Sequence, residues 1–368
     1  MRKQPLDFRK EDVQAVMRRW QASESCSLIG VGSVGKSNLL QHISDPDVHQ
    51  HYLTDAAKLK AIIIDPNLLV PISSDASDAF RCWAGYELMM HRLYMAFYPF
   101  EDLGDDATHF FDAYQALQDG TNPLHAHMGL RYFELGLEFF LRRDFQIIFM
   151  FDEFEELLRQ MPAKFFQTLR GLRDNHKKSL SYLAFSREPI PHLSEKMGFT
   201  KLDIEPFAEL FTDNTFYVGP YNTTDANAMI DRLVERNPQY SYSSEAIDFL
   251  LYASGRYAGI IRAGFRSLEW FKDVSATELD NEHLIARFAA RRPVQAECET
   301  IWDSLSGTEQ RILTAVVRKR AEAINADDEV AVSLLVQKRL VKVDREHQSL
   351  IIQPPVLRAY INTLLEQQ

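Results

Sequence analysis

Residues Gly30-Val31-Gly32-Ser33-Val34-Gly35-Lys36-Ser37 match G-x-x-x-x-G-K-[ST] in full. This stretch constrains the fold more than any other, because such a loop works only between a buried strand and the start of a helix. The flanks fit that demand. Cys26-Ser-Leu-Ile-Gly-Val31 predicts a short buried strand, and Lys36 to Ile43 predicts the helix that follows. Each part of the loop has a physical job. The glycines allow a tight fold in which successive N–H groups point at β- and γ-phosphates. Lys36 adds a point charge on those phosphates, the Ser37 hydroxyl is placed to ligate Mg²⁺, and the helix N-terminus favours an anion. The expected phosphate contacts are therefore Gly30, Val31, Gly32, Ser33, Val34, Gly35, Lys36 and Ser37, with Asn38 beside them.

A second motif complements the first. Ile147-Ile-Phe-Met-Phe151 is a continuous apolar run, the pattern of a central parallel strand buried on both faces. It ends in Asp152-Glu153. At the C-terminal edge of such a sheet, Asp152 would hold Mg²⁺ and Glu153 would polarise an attacking water, a Walker B arrangement with a glutamate base. Glu155 and Glu156 continue an acidic first helical turn. No Asn-Lys-x-Asp motif for guanine occurs in the chain, which favours ATP over GTP.

Composition narrows the class. The chain has 368 residues, room for two or three domains, and its 46% hydrophobic content suffices for a sizeable core. A net charge of −11 argues against a generally nucleic-acid-seeking surface, although a local basic patch is compatible with it. Cys26, Cys82 and Cys298 are widely separated and form no metal-ligand spacing, as expected in a reducing cytoplasm. The N-terminus lacks the apolar core of a signal peptide, and no apolar run approaches the ~20 residues that span a bilayer. The expectation is a cytoplasmic chain with no membrane partner.

Periodicity predicts the order of elements. Val13, Val16, Met17 and Trp20 share one face of a helix over 8–20. Strands are expected at Ala61–Asp65, at Leu180–Phe185 before Ser186-Arg187, and at Thr215–Gly219. Helices are expected over Ala79–Tyr98, Leu124–Arg142, Glu155–Met161 and Lys164–Arg173, with Glu101–Asp106 an acidic loop. Five strands separated by helices imply a parallel α/β sheet over residues 1–220. Residues 221–293 read as a helical lid, including a helix over Tyr257–Lys272, with Arg291-Arg292-Pro293 as a linker. Residues 294–368 read as a winged helix-turn-helix domain. Its parts are helices Thr308–Val317 and Val330–Arg339, strands Leu340–Asp344 and Ser349–Gln353, and a final helix Val356–Leu365.

In this order, phosphate loop, Asp-Glu strand, Ser-Arg strand, helical lid and winged helix, the chain resembles the STAND ATPases, relatives of AAA+ and Orc/Cdc6-type proteins. The likeness is to compact bacterial forms with a C-terminal winged helix. It rests on Gly30–Ser37, Asp152-Glu153, Phe165-Phe-x-x-Leu-Arg170, Phe185-Ser-Arg187 and Ser254–Arg262. The resemblance implies that Ser186 and Arg187 read the γ-phosphate as sensor 1, Arg187 with a catalytic role beside Lys36 and Glu153. It also implies a second sensing cation from the lid, Arg256 or Arg262. The Gly-x-Pro of that lid region is missing here, with Tyr257 or Ala258 in the proline's place. Arg170 and Arg173 are candidates for fingers acting across an oligomer, or for a solvated helix face.

Three uses of the winged helix follow: an ATP/ADP-driven switch, often with nucleotide-dependent homo-oligomerisation; an Orc-like DNA binder acting as loader, transposition factor or regulator; or a subunit whose ATPase controls a separate effector protein. Charge separates them. From Glu299 onward nine Lys/Arg face ten Asp/Glu, whereas a DNA-reading module concentrates positive charge. The segment Val330–Arg339 is apolar over most of its length, leaving Ser333, Gln337, Lys338 and Arg339 to reach a base edge or phosphate. A protein partner on another chain is favoured over DNA.

Overall fold

The computed structural model describes residues 3–100, 107–118, 123–271, 274–344, 346–347 and 349–367. The acidic loop Glu101–Asp106, Lys272 and part of the C-terminal hairpin turn lie outside them. The chain resolves into two compact units: residues 1–29 with 37–216, and residues 30–36 with 217–368.

The first unit is built on a sheet. In chain order it holds α1 (Lys10–Gln21), β1 (Cys26–Ile29), α2 (Lys36–Ile43), α3 (Pro46–Tyr52), β2 (Leu59–Ile64), α4 (Asp78–Phe97), α5 (Ala107–Gln118), α6 (Pro123–Leu141) and β3 (Gln146–Phe151). Next come α7 (Phe154–Gln160), α8 (Ala163–Asn175), β4 (Leu180–Ser186), α9 (Ile190–Lys196), α10 (Lys201–Ala208) and β5 (Thr215–Tyr217). The strands lie in the order β2-β3-β4-β1-β5. Pairings β2–β3, β3–β4 and β4–β1 are parallel, as expected for strands joined by helical crossovers. Ile29 pairs with Ser186, and Ala184 with Phe151. The ends of β1, β3 and β4 therefore share one sheet edge.

The apolar run of β3 is buried from Ile147 to Phe151 because helices cover both faces of the sheet. Val13, Val16, Met17 and Trp20 are the buried face of α1, as their spacing predicts. The aromatic stripes of α4 to α6 are core. Phe97 and Phe140 stack with centroids 3.9 Å apart, and the Trp83 indole N–H donates to the Leu117 carbonyl at 2.8 Å. Four helices were not legible. Helix α3 starts at Pro46, α9 has Pro189 at its N-cap and Pro191 in its first turn, α10 contains Pro206, and α5 follows the acidic loop. Proline costs nothing in a first turn, where its missing N–H would lack a partner in any case.

Beyond β5 the second unit is mostly helical, with α11 (Thr223–Arg236), α12 (Ser244–Ala253), α13 (Ala258–Phe265), α14 (Glu282–Ala289) and α15 (Arg292–Asp303). It ends with α16 (Gly307–Val317), α17 (Glu329–Gln337), β6 (Val341–Asp344), β7 (Ser349–Ile352) and α18 (Pro355–Glu366). The Ser243 side chain caps α12 by accepting from Ala246 N. Two expectations need correction. The helix expected over Tyr257–Lys272 stops at Phe265 and continues as a 3-10 segment from Arg266 to Phe271. Arg291-Arg292-Pro293 is no linker: Arg291 caps α15 and Pro293 sits in its first turn. β6 and β7 pair antiparallel, Val341 opposite Ile352.

Candidate functional site

In the sheet unit the acidic pair leaves β3 at its C-terminal end. Asp152 Oδ1 accepts the Glu153 N–H at 2.9 Å. Glu153 caps α7 with φ 42 and ψ 52, left-handed values unusual for a side chain of this kind. Its Oε2 accepts from Asn67 Nδ2 at 3.2 Å, and the same amide group donates to Asp65 Oδ1 at 2.9 Å. Asn67 was missed in the sequence. The available signal was a polar residue directly after an apolar strand, in Asp65-Pro66-Asn67.

The Ser-Arg end of β4 lies on the same edge. Ser186 is fully buried and its hydroxyl donates to the Glu188 carbonyl at 2.8 Å. Arg187 Nε lies 3.1 Å from Glu155 Oε1, so the expected sensing arginine is tied to the helix that Glu153 opens. Ser37 and Asn38 stand in the first turn of α2, with Ser37 exposed. Arg170 and Arg173 are engaged within this unit. Arg170 Nε donates to Asp174 Oδ2 at 2.8 Å, and Arg173 Nη2 to the Ser23 carbonyl at 2.9 Å.

The phosphate-type loop belongs to the second unit. Ser33 and Gly35 take left-handed φ values of 63 and 94, which curl the backbone as an anion-cradling loop requires. The Ser33 carbonyl accepts from Gly259 N at 2.8 Å, so the start of α13 is pinned to the loop. On the other side stands α15. A Cβ added to Gly32 would lie 2.7 Å from Thr300 Cγ2 and 2.9 Å from the Thr300 carbonyl oxygen, so this approach requires glycine. Ser33 Oγ donates to Glu297 Oε2 at 2.5 Å, and Glu297 Oε1 lies 3.6 Å from Arg262 Nη2. No spacing in the sequence connects Glu297 with Ser33. Arg262 thus meets a group that touches the loop. Arg256, with φ 64, instead donates from Nη1 to Thr223 Oγ1 at 2.9 Å.

Where the resemblance implies a proline, the fully buried Tyr257 has its phenol pushed up by burial and donates from Oη to the Arg339 carbonyl at 3.2 Å. Lys338 is one of the four residues of its segment that the sequence leaves able to reach a base edge or phosphate. Its side chain is instead sealed from solvent, with Nζ 2.7 Å from Glu309 Oε1. An ammonium inside a protein needs a carboxylate, and this one has its partner. Of α17 only Leu335 is buried, while Val330 is 63% exposed and Leu334 and Val336 are half-buried. Ser333, Gln337 and Arg339 are exposed. No group of three or more His, Cys, Asp or Glu among the described residues is arranged to hold a metal by itself, and no helix among them is long and apolar enough to cross a membrane.

Comparison with protein-family models returns no match, and comparison with curated proteins returns none. Solved structures do match. The Walker-type ATPase PABY2304 of Pyrococcus abyssi aligns with a TM-score of 0.52 at 15% identity, over 96% of this chain and 95% of that one. The Aeropyrum pernix ORC2 protein, in ADPNP–ADP complexes, aligns at 0.47 and 12% identity, over 98% and 94%. Cdc6p of Pyrobaculum aerophilum aligns at 0.41 and 12% identity, over 99% and 95%. The fold, a five-stranded sheet with helices on both faces followed by a helical C-terminal portion, is that of a Walker-type ATPase.

Proposed function

We propose that the chain binds ATP with Mg²⁺ and hydrolyses it slowly, as a STAND-like switch whose ATP or ADP state governs its C-terminal module, its self-assembly and a protein partner on another chain. The observation that carries this reading is the sheet edge at which β1, β3 and β4 end together. From it depart the glycine loop after Ile29, Asp152-Glu153 after Phe151, and Ser186-Arg187. In this reading residues 1–220 are the ATPase domain, 221–293 the lid and 294–368 a winged helix.

The residues fit the ligand. Loop N–H groups from Gly30 to Ser37, with Lys36, would take the phosphates, the left-handed φ at Ser33 and Gly35 giving the needed curl, and Asn38 adds a polar group beside them. Ser37 and Asp152 would hold Mg²⁺, an ion that takes one or two protein oxygens and the rest from phosphate and water. That ion would neutralise charge developing on the phosphates. Glu153 would accept the proton of the attacking water, and Arg187 with Ser186 would read the terminal phosphate. Arg262 is the better-supported lid cation, through its contact with Glu297; Arg256 is the second candidate.

The protein-partner reading is supported by α17, which exposes Val330 and leaves Val332, Leu334 and Val336 only partly covered. With Lys338 buried, DNA as the partner loses one of the four residues able to reach it. The test is a pair of variants. Lys36→Ala is expected to abolish ATP binding, and Glu153→Gln to bind ATP normally while hydrolysis falls by about a hundredfold or more. Unchanged turnover in Glu153→Gln would sink the base assignment.

A further inference from the structure

Glu297 bridges two groups that a nucleotide's terminal phosphate would also seek. One carboxylate oxygen is 2.5 Å from Ser33 Oγ, inside the glycine loop, and the other is 3.6 Å from Arg262 Nη2. The loop is curled by left-handed residues at 33 and 35 and leads into α2, so its N–H groups and helix N-terminus favour an anion. An internal carboxylate already stands beside it.

We propose that Glu297 is a resident anion that competes with the terminal phosphate for Ser33 and Arg262, and so sets the preference between ADP and ATP. This rests on reading Gly30–Ser37 as the nucleotide site. The argument is electrostatic. Glu297 is only 21% exposed at its side chain, so solvent screens its charge incompletely. The more negative charge a ligand brings beside the loop, the more it is repelled while Glu297 remains on Ser33. Arg262, with its side chain 69% exposed, is free to exchange a carboxylate for a phosphate, since guanidinium pairs well with either. Departure of Glu297 would loosen α15, because Thr300 on the same helix lies against Gly32. The terminal phosphate thereby gains a mechanical consequence within this unit: α15 stays on the loop with ADP and leaves it with ATP.

Glu297→Gln is the informative variant. Glutamine still accepts a hydrogen bond from Ser33, so a purely structural role would leave affinity unchanged. Titration calorimetry with ADP and with β,γ-imido ATP is expected to show the imido analogue binding about tenfold tighter in Glu297→Gln than in wild type, with ADP changing less than about threefold. In wild type, amide hydrogen exchange over residues 294–303 is expected to speed up with the imido analogue and not with ADP. Equal affinities in wild type and Glu297→Gln, with Lys36→Ala still abolishing binding, overturn the competition while leaving the nucleotide site standing. Wild-type binding in Lys36→Ala overturns the site reading, and this proposal with it.

Discussion

Lys338 Nζ lies 2.7 Å from Glu309 Oε1, and both side chains are sealed from solvent. Glu309 is tied down further, its Oε2 accepting from Ser306 N at 2.8 Å and Ser306 Oγ at 3.0 Å in a capping box at the start of α16. The pair joins the end of α17 to the beginning of α16. Removing one partner leaves a buried charge alone. Lys338→Met is therefore expected to cost about 3–5 kcal/mol. Lys338→Met with Glu309→Gln, which keeps a side chain able to cap, is expected to recover most of that loss. Urea unfolding of the wild type, both single variants and the double gives the coupling, and additive effects would refute it. Charge reversal at Lys338 reports on folding rather than on DNA. Arg339 and Lys342 are exposed, so a DNA shift assay has meaning on them.

Arg187 supplies a prediction for chemistry. Its guanidinium is held by Glu155 on the helix that follows Asp152-Glu153. In the proposed reaction it meets charge on the terminal phosphate, so its loss affects turnover more than product affinity. Arg187→Ala is expected to lower ATP hydrolysis by at least about tenfold while ADP affinity stays within about twofold. An equal loss in both would make Arg187 a general binding residue instead of a sensor.

What the sequence revealed was local, and what it hid was distant. Gly30–Ser37 and the run from Ile147 to Glu153 each carry their meaning within about eight residues, so loop, strand and acidic pair were legible. The buried face of α1 was legible for the same reason. Ser33 and Glu297 are 264 positions apart, and Lys338 and Glu309 are 29 apart; no periodicity relates such pairs. Lys338 looked like a surface cation because it follows an apolar helix and precedes Arg339. Only the arrival of α16 makes it a core residue. Pro293 misled in another way: the same proline that ends a helix also opens one, and composition alone does not say which.

Two histidines of the sheet unit make its stability depend on pH. His42 is 5% exposed and meets Phe8 edge-on, while His49 is 1% exposed, with Nε2 2.6 Å from the Ile43 carbonyl. Burial holds the pKa of both below the ordinary value. In the unfolded chain they titrate near about 6.5, so as pH falls below that the unfolded state binds more protons than the folded state. Stability is then lost on acidification, by at most about 1.4 kcal/mol per pH unit for each group, until the folded-state pKa is reached. Urea midpoints between pH 7.5 and 5.5 are expected to fall, and His42→Gln to flatten the slope. A midpoint that rises on acidification would contradict the burial argument.

Two helical glycines are expected to respond to alanine in opposite directions. Alanine in a helix interior gains about 1 kcal/mol over glycine, from backbone entropy alone. Gly171 in α8 is exposed, and a Cβ added there meets nothing within 4 Å. Gly171→Ala is expected to realise most of that gain, about 0.5–1 kcal/mol. Gly85 in α4 is buried, and its Cβ would fall against the Phe165 ring, 2.9 Å from Cζ, and 3.0 Å from Met161 Sδ. Phe165 is itself fully buried and packs on Tyr86 at 5.3 Å between centroids, so it has little room to retreat. Overpacking of this kind costs about 1–3 kcal/mol and outweighs the propensity gain. Gly85→Ala is therefore expected to lower the urea midpoint while Gly171→Ala raises it. The same sign for both would show that α4 and α8 do not approach each other as closely as Gly85 and Phe165 indicate.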